Sequence, residues 1–242
     1  MRLATILLSC LLTIAAARGT HRLFDVDGDH KLHTALVTRA DKATTNSVRE
    51  AFYAAKVVPD VLPSFDPTLL LNVNFTNSGL EDPSVTVEPG VLLTRNQTKF
   101  IPEFSISNIT EDDGEKTYVV VQVDPDAHTP QNPDVAQVRH LLGGNYTTDG
   151  TAATGLALRN SSVAVSEWMR PSPPAGSDPH RYVILLYAQP DNFSAASIAP
   201  LVPVNASSSP LHFNLSEFAQ ATGLGLPVAG TYFLTGPDAA SA

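Results

Sequence analysis

From Tyr118 the chain reads Tyr-Val-Val-Val-Gln-Val and then Asp124-Pro125-Asp126. Six strand-forming residues without a breaker predict a strand over residues 118–123. Its apolar positions are nearly continuous rather than alternating, so that strand is expected to be buried on both faces. Pro125 ends it. If the chain stays extended through the proline, Asp124 and Asp126 are two residues apart and point the same way, placing two carboxylates side by side at a sheet's end. Asp and Pro are also ordinary turn residues, and a solvated turn after a strand would have the same tripeptide.

The same patterning divides the rest of the chain. Residues 47–56 carry Val48, Phe52 and Ala55 at helical spacing, with Ser47 as a cap and Glu50 three residues on; Val57-Val58-Pro59 ends that helix. Short β-like runs follow at 69–75, 85–87 and 91–94, separated by Asn, Gly and Pro turns, as in an antiparallel sheet. Residues 126–138 form a proline-containing loop. A strand resumes over 139–146, interrupted at Gly143-Gly144, where missing side chains would let another backbone approach. Residues 147–164 are small and soft, an expected exposed excursion. Trp168-Met-Arg-Pro171-Ser-Pro173-Pro174-Ala-Gly176 makes a stiff turn, and His180–Ala188 is a second buried strand. Ser216 is the expected cap of a helix over 217–222, and 231–235 is a last strand. No internal repeat is visible.

With 242 residues and 43% hydrophobic content, the chain suits one domain with a large core. Met1-Arg2, an uncharged run from Leu3 to Ala17, and Ala15 and Ala17 spaced for cleavage predict a secretory signal over 1–17, and hence an extracellular product. That run is shorter than the roughly 20 residues of a spanning helix, so no transmembrane anchor is expected. The end, Gly-Pro-Asp-Ala-Ala-Ser-Ala, lacks the hydrophobic tail of a lipid anchor. Cys10 falls within the signal, so disulfides, thiolate metal sites and cysteine nucleophiles are not expected in the mature chain.

Residues 18–46 are polar and without period, a flexible mature N-terminus or pro-segment preceding the domain over 47–242. Asp25-x-Asp27-Gly28-Asp29 has a calcium loop's acidic spacing, but its glycine comes two places early and Leu36 stands where a bidentate Glu is required. Acceptors for N-glycosylation occur at Asn74, Asn96, Asn108, Asn145, Asn160, Asn192, Asn205 and Asn214, of which the loop positions Asn96, Asn160 and Asn205 are expected first. The net charge is −9; without Arg2 it becomes −10, 14 basic against 24 acidic side chains. Nucleic acid and anionic membrane surfaces need clustered Lys and Arg and are not expected partners.

Five segments, in this order, carry a likeness. They are Val123-Asp124-Pro125-Asp126-Ala127, His140 to Asn145, Pro171-x-Pro173-Pro174-x-Gly176 leading to His180-Arg181-Tyr182, Phe213-Asn-Leu-Ser-Glu-Phe218, and Pro227-Val-Ala-Gly230. On them the chain resembles the phosphatidylethanolamine-binding protein family, which includes raf kinase inhibitor proteins, plant flowering regulators and a yeast inhibitor of a serine carboxypeptidase. With its leader it resembles a secreted fungal-type member. The resemblance covers residues 48–235, in the single-domain size range. It implies a mostly β fold, a β-sandwich-like core of two antiparallel sheets with a few short peripheral helices, and a shallow pocket for phosphate, acetate or a phospholipid head group. Asp124, Asp126, His140, His180 and Tyr182 fall on the family's pocket positions, and Trp168 takes the place of a pocket-wall aromatic.

The chain also departs from that pattern. His128 replaces the motif's final proline, Val138 and Arg139 stand where relatives usually have His or Trp, and Gly143-Gly144 replaces a bulky aliphatic pair. The chain stops soon after Phe233, without the C-terminal helix that flanks the pocket in mammalian members, so a wider entrance is expected.

Histidines and backbone N–H groups can supply donors to a phosphate without a basic surface, and a carboxylate beside an imidazole favours its protonated form. The second carboxylate could accept an ethanolamine ammonium. The expected function is therefore non-enzymatic binding of an anion or phospholipid head group, with no cofactor. The alternative is inhibition of a serine carboxypeptidase or related hydrolase. Paired carboxylates with histidines could also serve acid–base hydrolysis or hold a divalent metal, but no His-Glu-x-x-His or Gly-x-Ser-x-Gly motif accompanies them.

Overall fold

In the computed structural model, residues 43–151, 155–202 and 209–238 are described. The expected leader over 1–17, Cys10, the acidic run at 25–29, the segment expected to be a flexible N-terminus or pro-segment as far as residue 42, and Asn205 lie outside the described residues. In chain order the strands are β1 (Leu70–Thr76), β2 (Ser84–Thr86), β3 (Val91–Leu92), β4 (Glu103–Ser107), β5 (Tyr118–Asp124), β6 (Val138–Thr151), β7 (Gly155–Asn160), β8 (His180–Ala188) and β9 (Ala229–Thr235). The helices are α1 (Thr45–Ala54), α2 (Val57–Asp60), α3 (Ala195–Ile198) and α4 (Leu215–Thr222).

All seven residues of β5 are buried, as its unbroken apolar run requires. Alternate side chains of a strand leave opposite faces, so β5 feeds two cores. Val119, Val121 and Val123 meet Phe52 of α1 and Phe218 of α4 in an outer core. Tyr118 and Val120 join Val73, Phe75, Ile106 and Phe233 in an inner one. β8 divides in the same way, with Val183, Leu185 and Tyr187 outward and Tyr182, Ile184 and Leu186 inward.

The strand order is β2-β1-β4-β7-β6-β5-β8-β9-β3. Neighbours are antiparallel except β3 and β9, which run parallel. The sheet curls. Thr68 and Leu69, just before β1, both donate to the Val228 carbonyl just before β9, each at 3.0 Å, although those strands stand near opposite ends of the ladder. The mostly β fold is as expected, and its two facing layers are halves of one continuous nine-stranded sheet.

Several expectations change at the level of elements. The excursion expected over 147–164 contains the end of β6 and all of β7, whose Leu156 and Leu158 are buried in the inner core. Leu-Ala-Leu alternation was the available signal, obscured by the small residues around it. β4 was also missed. β6 continues through Gly143-Gly144, although its pairing with β5 shifts register between Gly143 and Tyr146, and what approaches there is aromatic rather than backbone. A Cβ on Gly143 would lie 2.9 Å from the Tyr146 ring, and one on Gly144 would lie 2.9 Å from Phe193. α1 is capped by Thr44, whose hydroxyl accepts from the Ser47 N–H at 3.1 Å while Ser47 Oγ accepts from the Thr44 N–H at 2.9 Å. Ser47 is therefore the third residue of a capping box rather than the cap. α4 is capped by Asn214, leaving Ser216 Oγ to donate to the Val61 carbonyl at 3.1 Å.

Candidate functional site

At the end of β5 the chain turns on Asp124, whose Oδ1 accepts from the Asp126 N–H at 2.8 Å. The turn sends the two carboxylates to different sides of the sheet. Asp124 stays on the inner face, where its Oδ2 accepts from His180 Nδ1 at 2.8 Å. Asp126 reaches the outer face and receives Arg181 as a fork, Oδ1 to Nη2 at 2.7 Å and Oδ2 to Nε at 3.0 Å, with the Arg181 backbone N–H also donating to Oδ2 at 2.8 Å. Because His180 and Arg181 are consecutive in β8, they must face opposite ways. The expectation that Asp124 and Asp126 lie side by side is therefore corrected.

His140 owes its direction to a bulge. β5 pairs Gln122 with Leu141 but the next residue, Val123, with Arg139, so His140 is an extra residue on β6. Leu141 faces the inner core, and strict alternation would send His140 outward. The bulge turns it inward instead, where its ring meets Tyr182 edge-on at 5.1 Å between centroids. Arg139 is sent outward, its guanidinium 5.0 Å from the Phe213 ring centre and its Nε donating to Ser166 Oγ at 2.6 Å.

Asp124, His140, His180 and Tyr182 line one recess of about 430 Å³. Val138 and Ala127 add to its wall, and the exposed His128 and Arg170 stand at its mouth. Trp168 does not line it; its ring packs on Phe75, 5.7 Å between centroids, against the inner core. Asp126 lines a separate cavity of about 600 Å³ together with Asp60 and Arg181. Ser172, Ser177 and Met169 take part in or border the recess and were not singled out in the sequence. Ser177 could have been noticed as the hydroxyl three residues before His180.

The hydrogen bonds assign the imidazoles different states of engagement. A carbonyl only accepts, so His140 Nδ1 carries the proton it donates to Met169 O at 2.7 Å. The Met169 N–H returns a bond to the His140 carbonyl at 2.8 Å. Burial pushes the His140 pKa below the usual histidine value, outweighing the Met169 carbonyl and the Asp124 charge, which raise it. Neutral His140 then presents the lone pair of Nε2, 3.9 Å from Asp124 Oδ2. His180 has both ring nitrogens occupied, Nδ1 by Asp124 and Nε2 by Ser177 Oγ at 2.9 Å. Burial raises the Tyr182 pKa above the ordinary phenol value, and the Asp124 charge raises it further. Its hydroxyl stays protonated between Asp124 and the backbone N–H of Ser172.

Among the described residues no group of three or more His, Cys, Asp or Glu is arranged to hold a metal ion.

The family model for phosphatidylethanolamine-binding protein matches residues 81–233, well over half of the chain. The chain belongs to the phosphatidylethanolamine-binding protein family. Over 187 residues it is 30% identical to Protein FLOWERING LOCUS T of Arabidopsis thaliana, spanning 77% of this chain and 91% of that one. Two solved structures share the family fold. The carboxypeptidase Y inhibitor, solved in complex with its cognate proteinase, is similar with a TM-score of 0.66 and 20% identity, covering 80% of this chain and 97% of that one. The phosphatidylethanolamine-binding protein from Plasmodium vivax is similar with a TM-score of 0.60 and 18% identity, covering 79% and 98%. In this member of the family, the Asp124, His140, His180 and Tyr182 positions converge, whereas Asp126 is spent on Arg181. Of the expected glycan acceptors, Asn96 and Asn160 are exposed, and the Asn160 Oδ1 accepts from the Ser162 N–H at 2.7 Å.

Proposed function

We propose that this chain is a secreted, non-enzymatic binding protein whose recess takes a phosphate or phospholipid head group. The observation that carries this is the buried Asp124–His140 pair at the back of a recess with Arg170 and His128 at its mouth. An ethanolamine ammonium would meet Asp124, the role first expected of Asp126. The phosphate would meet Arg170 and a His140 that has gained a proton. His180 would hold Asp124 in place rather than touch ligand, because both its nitrogens already have protein partners. The hydrolase alternative loses its support with the carboxylate pair, since Asp126 is held by Arg181.

The sign of the pH dependence follows. Burial keeps His140 neutral in the free protein, and an anion stabilises its charged form, so binding takes up a proton and weakens as pH rises through the histidine range. Calorimetry with O-phosphoethanolamine in two buffers of different ionisation enthalpy measures that uptake. Tighter binding at pH 5.5 than at pH 8, lost in His140→Ala, is the expected result. Equal affinity at both pH values, or unchanged binding by His140→Ala, would overturn the scheme.

Secretion is supported by the leader and the sequons, and mass spectrometry of protein from its own source would find an N-terminus after Ala17 and glycan at Asn96. A second role, inhibition of a serine carboxypeptidase, is supported by the fold shared with an inhibitor solved on its cognate proteinase. An assay of carboxypeptidase activity with the purified chain decides it.

A further inference from the structure

A second cavity, of about 460 Å³, lies on the outer side of the sheet, between α4 and the segments at Leu62-Pro63 and Gly225-Leu226-Pro227. It shares no lining residue with the recess, and its size falls in the roughly 300–1,000 Å³ range of small-molecule sites. Its lining is largely apolar, with Leu62, Ala219 and Leu226 among its walls, and Leu226 is 55% exposed.

Tyr187 of β8 belongs to this lining and is fully buried, yet its hydroxyl has no hydrogen-bond partner among the described residues. A buried hydroxyl left unpaired is costly, so such groups are normally satisfied by protein, water or ligand. Two of the polar neighbours are already committed. Asn214 Oδ1 caps α4 through the Glu217 N–H, and Ser216 Oγ donates to Val61 O. We propose that this cavity is a second binding site, for a small neutral lipophile carrying one oxygen acceptor, such as an alkyl ketone, ester or amide, which receives its hydrogen bond from Tyr187.

The ligand's charge follows from the wall. Glu217 is the one charged residue lining the cavity, and the chain carries net charge −9, so a carboxylate would meet repulsion. Burial holds the Tyr187 pKa above the ordinary phenol value, so the hydroxyl remains a donor at all ordinary pH and the site calls for an acceptor. Unlike the recess, it should bind independently of pH in the histidine range.

The test is displacement of the fluorescent probe N-phenyl-1-naphthylamine from the full chain by decan-2-one. The expected result is saturable displacement that saturating O-phosphoethanolamine leaves unchanged. Tyr187→Phe, which removes only the hydroxyl, should weaken decan-2-one about tenfold, the loss of one hydrogen bond from a dry site, while leaving thermal stability undiminished. Ala219→Leu, which fills the cavity from α4, should abolish displacement. Absence of displacement from the wild-type chain, equal affinity in Tyr187→Phe, or competition by O-phosphoethanolamine would each overturn the proposal.

Discussion

Burial decides what each ionisable group of the recess can do. His140 has its pKa depressed, so the unfolded chain takes up its proton more readily than the folded one. This contribution to stability is complete above the unfolded histidine value of about 6.5 and is lost as pH falls below it toward the folded value. Urea denaturation from pH 8 to pH 5 should show a decline in that window that is shallower in His140→Gln. Phosphate, if it binds as proposed, should oppose the decline. Arg181 matters for a different reason. It spans Asp126, Asp60 and the Ala55 carbonyl, and removing it leaves the Asp126 carboxylate buried without its counter-ion. Arg181→Met should destabilise by about 3 kcal/mol in chemical denaturation, and Arg181→Lys should recover little, because an ammonium cannot reproduce the fork. Gln122 is the opposite case, fully buried with neither amide atom partnered among the described residues. Gln122→Met keeps the volume and removes the polar pair, and should raise stability by about 1–2 kcal/mol. An unchanged denaturation midpoint would mean that ordered water already satisfies the amide.

Among the elements, β6 determines the shape of the site. Its bulge at His140 delivers an imidazole inward and an arginine outward from adjacent positions, which a regular strand could not do with Leu141 also facing inward. Further along, a second register shift lies where Val120 pairs with Gly143 and Tyr118 with Tyr146, and Asn145 there has φ 58°. Asn145 is held by Gln189, whose Oε1 accepts its backbone N–H at 2.7 Å and whose Nε2 donates to its Oδ1 at 2.8 Å. The neighbouring glycine is packed against Phe193, so Gly144→Ala should push that ring into the outer core and cost about 1–3 kcal/mol, measurable as a lowered denaturation midpoint. The strands β5 and β8 were legible because their apolar runs are long and uninterrupted. β7 was not, because a six-residue strand that buries two leucines has too little pattern to stand out from a small-residue stretch.

At the scale of the whole molecule, the curl of the sheet encloses the inner core while α1 and α4 cover the outer one, and different sites lie at their margins. The recess opens where the inner core ends at Asp124 and His180; the second cavity lies against the outer core at Tyr187 and α4. By itself the sequence determined the central strand leading into Asp124 and the order of motifs that marks the family, because these depend on spacing along the chain, and the mostly β fold followed from the resemblance that those motifs carry. It could not determine that Asp126 would leave the recess for Arg181, that Trp168 would pack on Phe75, or that His140 would face inward. Those outcomes depend on strand register and on which face each side chain leaves. Register is a relation between segments far apart in the chain, and one extra residue in a ladder reverses it.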